Sequence, residues 1–129
     1  LMATKYWLAG HPSGRLLAAS GTHDLSSIGD GNEEAFTITC TGAALGDIVL
    51  GCSSSLDIID LGVTAQVTAA NTVTVTVLNN TGGGLNLGSA TFRVLIVPYG
   101  AIDDIITEMS SFAPRWDSSL PLGGETKKE

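Results

Sequence analysis

The chain has 129 residues, with six basic and thirteen acidic side chains and a formal charge of −7. That length suits one domain with a single core. Charged residues at 15% against 43% hydrophobic ones argue against disorder through the body of the chain. No lysine or arginine occurs between Arg15 and Arg93, where Asp24, Asp30, Glu33, Glu34, Asp47, Asp57 and Asp60 carry the whole acidic excess. Such a stretch repels polyanions, so neither nucleic acid nor a membrane surface is an expected partner. No apolar run is long enough to span a bilayer, and no apolar run follows Lys5 as a secretory signal would require.

Residues 1–33 read as an N-terminal arm. LMATKYW is short and amphipathic, HPSG and SSIGDGN are breaker clusters, and RLLAAS (Arg15 to Ser20) is one short strand between them. Residues 34–98 read as a β-sandwich core. In EAFTITCT, Phe36, Ile38 and Cys40 alternate with Thr37, Thr39 and Thr41, the period of a half-buried strand. DIVLGC repeats the phase with Ile48, Leu50 and Cys52. A hairpin across Gly42 to Gly46 would set Cys40 against Ile48, Ile38 against Leu50 and Phe36 against Cys52. That register puts the two cysteines about 13 Å apart, too far for a disulfide.

The next two strands are more sharply patterned. Val63, Ala65 and Val67 oppose Thr64, Gln66 and Thr68; Val73, Val75 and Val77 oppose Thr72, Thr74 and Thr76. A two-residue loop would set Val67 against Thr74. A three-residue loop, Ala69 to Asn71, sets Val67 against Val73, Ala65 against Val75 and Val63 against Val77. Asn71 is then the left-handed residue that closes such loops. LNNTGGGLNLG is a long turn from which Leu85 and Leu87 dip back to the core. The last strand, SATFRVLIVP, is apolar on both faces from Val94 to Val97, as expected of a strand covered twice.

A short helix is expected within residues 99–113. Ile102, Ile105, Ile106, Met109 and Phe112 form one stripe, with Asp103 and Asp104 in the first turn and Pro114 as the stop. So short a helix must dock its stripe on its own sheet or on another chain. Residues 114–129 read as an extended C-terminal tail carrying Trp116. The fold expected is therefore all-β: an antiparallel β-sandwich or jelly-roll-like module with one short C-terminal helix and extended arms at both ends.

Chemistry is sparse. His11 and His23 lack the spacing of converging metal ligands and read as solvated loop residues. Cys40 and Cys52 read as small core hydrophobes. DGNEE lacks the ligand alternation of a calcium loop. GCSSSLD lacks the second glycine and the downstream histidine of a hydrolase elbow, and Gly82 to Gly84 lack the lysine of a phosphate loop. The pairs Asp57/Asp60 and Asp103/Asp104 come with no aromatic-rich cleft. Asn79-Asn80-Thr81 is formally a glycosylation sequon. No cofactor, metal or catalytic residue is expected, and the chain reads as a non-enzyme.

The segment from Phe36 to Pro98 resembles a pattern that recurs in small tailed-phage virion proteins. Its marks are TGAALGD (Thr41 to Asp47), AANTVTV (Ala69 to Val75), NNTG (Asn79 to Gly82) and ATFRVLIV (Ala90 to Val97). The opening MATKYW is also similar to the starts of phage structural proteins. The resemblance implies a β-module of the virion, typically trimeric. A capsid decoration protein bound to the major capsid protein at capsomer junctions is the first expectation. A tail or fibre module binding host-surface carbohydrate is the alternative, and a hydrolase on a β scaffold a more distant one. Candidate contact residues are Tyr6, Trp7, Val94, Ile96, Ile102, Ile105, Ile106, Met109, Phe112 and Trp116, chosen because aromatic and apolar side chains dominate interface energies.

Overall fold

Alternating apolar and threonine side chains can satisfy both water and a core only if two such surfaces stack, and the computed structural model is built that way. It describes residues 6–7 and 15–112. The elements are β1 (Tyr6–Trp7), β2 (Arg15–Leu25), β3 (Glu33–Thr39), β4 (Ile48–Ser54), β5 (Gly62–Ala69), β6 (Thr72–Leu78), β7 (Gly88–Val97) and α1 (Tyr99–Phe112). One antiparallel sheet has the order β1-β2-β7-β4 and the other β3-β6-β5. The core lies between them. Val73, Val75 and Val77 of β6 and Phe92, Val94 and Ile96 of β7 are almost wholly buried, in one cluster with Leu17, Leu25, Phe36 and Ile38. Each such side chain stabilises the fold by about 1.5–3 kcal/mol relative to exposure. Gly21 in β2 lets the sheets close: a Cβ there would stand 3.2 Å from Cγ1 of Ile38 in the facing sheet.

The β5–β6 register is the one that keeps valine opposite valine: Val63↔Val77, Ala65↔Val75 and Val67↔Val73. Asn71 turns with φ 59°. The turn is tighter than a three-residue loop, because Ala69 still pairs with Thr72 and the extra residue is absorbed as a bulge at Thr68.

Three expectations need correction. First, the sandwich begins at residue 15 rather than 34. β2 runs eleven residues and pairs along β7 from Leu17↔Ile96 to Leu25↔Gly88. Its inward side chains Leu17 and Leu25, and Ile28 beyond it, are core residues. Second, β3 and β4 form no hairpin. β3 pairs with β6 and β4 with β7, so the Gly42–Gly46 loop crosses between sheets. Both cysteines are free, Cys40 buried just past the end of β3 and Cys52 half-buried on β4 in the other sheet. Third, β4 is bulged between Val49 and Gly51. Val49 and Cys52 pack against the core, while Ile48 and Leu50 are 48% and 58% exposed.

Asn71 also ties the β5–β6 turn to the loop that leaves β3. Its backbone N–H donates to Ala43 O (2.8 Å), its carbonyl accepts from Cys40 N–H (2.9 Å), and its Oδ1 accepts from Gly42 N–H (2.8 Å). Asn71→Val puts a β-branched side chain at positive φ and removes the Gly42 acceptor, and it is expected to cost about 2–4 kcal/mol. Asn71→Gly keeps the conformation and is expected to cost about 1 kcal/mol. Urea denaturation, with Thr64→Ala as the surface control, checks both values.

Candidate functional site

The outer surfaces of the two sheets differ in kind. On β3-β6-β5 the outward positions include Thr37, Thr39, Thr64, Gln66, Thr68, Thr72, Thr74 and Thr76, with Glu33, Ala35 and the 39% exposed Leu78 toward one end, and Thr68 and Thr74 share a hydrogen bond of 2.7 Å. This is a solvent-adapted face. On β2-β7-β4 the outward positions include Leu16, Ala18, Leu95, Ile48 and Leu50. The bulge makes Leu50 and Gly51 together oppose Leu95, so three exposed aliphatic side chains gather on the β4–β7 pair, with Arg93 beside them. Val97, outward by the same alternation, is buried where the chain turns into the helix. The doubly apolar strand is thus covered at Val97 and open at Leu95, which is 38% exposed.

α1 starts one residue after β7 and is anchored at its root. Asp47 supplies the cap from the loop between β3 and β4: Oδ1 accepts from Tyr99 N–H (2.8 Å) and Oδ2 from Ala44 N–H (2.9 Å). The Tyr99 side chain packs on Gly46, whose φ is 98° and where a Cβ would meet it at 3.6 Å. Ala101 is fully buried. The helix begins two residues earlier than the apolar stripe suggests, so Asp103 and Asp104 fall in its second turn and the first turn holds no acid. The anion that complements the helix N-terminus is Asp47, drawn from elsewhere in the chain.

Beyond its root the helix exposes part of its apolar stripe. Ile102 and Ile105 are half-buried, while Ile106 and Met109 are 56% and 63% exposed. Of the expected contact residues, these four lie together on one accessible face. Val94 and Ile96 do not join them, because the pleat points both into the core, at 3% and 0% exposure. The backbones of Tyr6 and Trp7 pair with Leu16 and Arg15 on the edge of β2. Their side chains, that of Phe112, and the whole of Trp116 and the 114–129 tail lie outside the described residues. Ile48 and Leu50 escaped sequence reasoning because their period matched a core strand. The glycine at 51, next to Leu50, is the one signal of a bulge.

The polar groups of the core mouth form a second cluster. His23 is not a solvated loop residue. It faces inward on β2, with its ring stacked on Phe36 (centroids 4.1 Å apart, planes 9° apart), and Phe36 leans on Phe92 at 4.8 Å. His23 Nε2 lies 2.6 Å from Glu34 Oε2, and Glu34 Oε1 accepts from Ser26 N–H (3.0 Å) and Ser26 Oγ–H (2.5 Å). The Ser26 hydroxyl and then His23 hold the Glu34 carboxyl below the usual carboxylate range, against a smaller opposing effect of burial. An ionised Glu34 therefore bridges the sheets at this end. Glu34 stands between serine and histidine, so the histidine has no contact through which to draw a proton from the serine, and the arrangement is a brace. Beside it lies an open depression of about 700 Å³, lined by Ser26 to Gly29, Gly31 to Glu34 and Leu78.

Asn79 closes the same end. It is fully buried; its amide donates to Ile28 O and Gly83 O, both at 2.7 Å, and its Oδ1 accepts from the Thr81 amide and hydroxyl. The sequon asparagine is thus occupied in the folded chain. Among the described residues no group of three or more His, Cys, Asp or Glu could hold a metal ion, and no helix is long and apolar enough to cross a membrane.

Asp47→Ala is expected to lose about 1–2 kcal/mol and to speed amide exchange at Tyr99 to Ile102 while leaving β6 protected. Glu34→Gln is expected to lose about 1–2 kcal/mol at pH 7. Because the folded-state pKa of Glu34 is depressed, its contribution is complete above the unfolded value, roughly 4.3, and is lost as pH falls through the lower folded one. The stability difference between wild type and Glu34→Gln, read from urea midpoints, should shrink between pH 5 and pH 3.

No protein-family model matches this chain. Searches of curated proteins and of solved structures likewise returned no match.

Proposed function

We propose that the chain is a non-enzymatic structural protein of a tailed-phage virion, a homotrimeric decoration protein that strengthens the head at capsomer junctions. The observation that carries this reading is the helix: an amphipathic segment held rigidly at its root by Asp47, with Ile106 and Met109 left in water. A chain that spends sequence on an uncovered apolar stripe is built to be covered by another molecule. The resemblance of residues 36–98 to small virion proteins supports the kind of assembly. The fold suits the task, since a sandwich with a fully buried valine and phenylalanine core resists deformation and transmits load between its contacts.

In this reading the work done is binding energy. The major capsid protein would be gripped through the N-terminal segment around Tyr6 and Trp7, and self-association would use the helix. Purified heads lacking the protein, mixed with the full-length chain and sedimented, are expected to bind it saturably. A chain without residues 1–12 should bind at least ~10-fold more weakly, a loss of about 1.4 kcal/mol or more. Full-length chain that leaves heads bare, or that decorates only tails, would overturn the reading.

A further inference from the structure

We infer that the helix of one copy lies across the outer face of the β2-β7-β4 sheet of a second copy, so that the trimer closes as a ring of helix-on-sheet contacts. The inference rests on the self-association in the reading above and names the two surfaces that meet.

Three observations select this pairing. The first is that both surfaces are open within one chain. Ile106 and Met109 on the helix, and Ile48, Leu50 and Leu95 on the sheet, are each 38–63% exposed, so they do not cover one another. Pro98 alone separates β7 from α1 and Asp47 bonds the helix start, yet Leu95 on the helix's own sheet stays 38% exposed. The second is the asymmetry of the sandwich. The β3-β6-β5 face is mostly threonine and glutamine, which water satisfies, with Leu78 its one large exposed aliphatic side chain, whereas three such side chains gather on β7 and the edge strand β4. An apolar sheet face flanked by an edge is where natural sheets are covered by helices.

The third is charge and dimension. Residues 99–112 hold Asp103, Asp104 and Glu108 and no basic residue. Asp103 is exposed on the flank of the stripe next to Ile106. The sheet face holds Arg93, exposed and two residues along β7 from Leu95. Two helices packed stripe to stripe would bring acids together, whereas helix on sheet brings Asp103 toward Arg93. The stripe from Ile102 to Met109 rises about 10 Å at 1.5 Å per residue. The patch from Ile48 to Gly51 spans about 10 Å at 3.3 Å per residue, and a helix some 10 Å wide covers two strands. The contact joins two different surfaces, so it propagates from copy to copy and closes by rotational symmetry.

A heterologous contact has a distinctive test. Light scattering of the full chain is expected to give about three times the 13.2 kDa monomer mass. The helix variant Ile106→Asp/Met109→Asp and the sheet variant Leu50→Asp/Leu95→Asp should each run as monomers. All four side chains are exposed, so thermal melting should confirm that both variants fold. Mixed in equal amounts, the two variants should form a two-chain complex, because the sheet variant still offers an intact helix and the helix variant an intact sheet. As a check that does not depend on these variants, Arg93→Glu should weaken the trimer and Arg93→Glu/Asp103→Lys should restore it. A monomeric wild type, a sheet variant that remains trimeric, or variants that fail to complement would overturn the inference. Wild-type trimers that complement in this way but leave heads bare would uphold it and sink only the decoration role.

Discussion

The valines of β6 and the Phe92-Val94-Ile96 row of β7 must lose water together, and the rest of the architecture answers to that requirement. Each row sits on the central strand of its sheet, and neither buries its apolar side without the other. Strands are therefore distributed so that every crossing of the core is made by a loop, and apart from the two-residue β1 on β2 the local pairing is the β5–β6 hairpin. The ends of the core need closure as well. At one end His23 and Glu34 reach across from opposite sheets, with Phe36 beneath the imidazole and Ser26 holding the carboxylate. Asn79 seals the adjoining loops by using every hydrogen-bonding valence of its side chain.

The opposite end is organised by the segment Thr41 to Asp47. Gly42, at φ 95°, donates to Asn71, Ala43 is buried and bonded to the same asparagine, and Asp47 caps the helix. One loop thus links the β5–β6 turn, the crossover to β4 and the start of α1. This gives a physical role to the segment TGAALGD: its residues join the sandwich to the start of the helix. A stripe whose direction is fixed loses less entropy when a partner covers it than one on a free peptide.

The β5–β6 pair was legible because it is local: register, turn residue and alternation are all set by neighbours in sequence. The β3–β4 pairing was misread for the same reason in reverse. Phe36, Ile38 and Cys40 match Ile48, Leu50 and Cys52 in phase, but phase says only that a face is apolar, not whether it meets a neighbour beside it or a sheet opposite. The segment 15–25 looked like an arm because its glycine, serine and aspartate weaken the pattern, although every second residue from Leu17 to Leu25 faces the core. The helix itself was legible from its period, but Asp103 and Asp104 fall outside its first turn, and the cap was out of reach of local reading because Asp47 lies 52 residues from Tyr99.

The sequence by itself determined that the chain is a β protein with a terminal amphipathic helix, because alternation at period two and a stripe at period 3.6 are properties of consecutive residues. It also determined the valine-on-valine hairpin. Only the tertiary structure decided which strands share a sheet, that β4 bulges to turn Ile48 and Leu50 outward, and that the helix stripe is left open at Ile106 and Met109. Those outcomes depend on competition among non-local contacts, where many pairings satisfy the same apolar pattern and only the one that closes both ends of the core satisfies the polar groups as well.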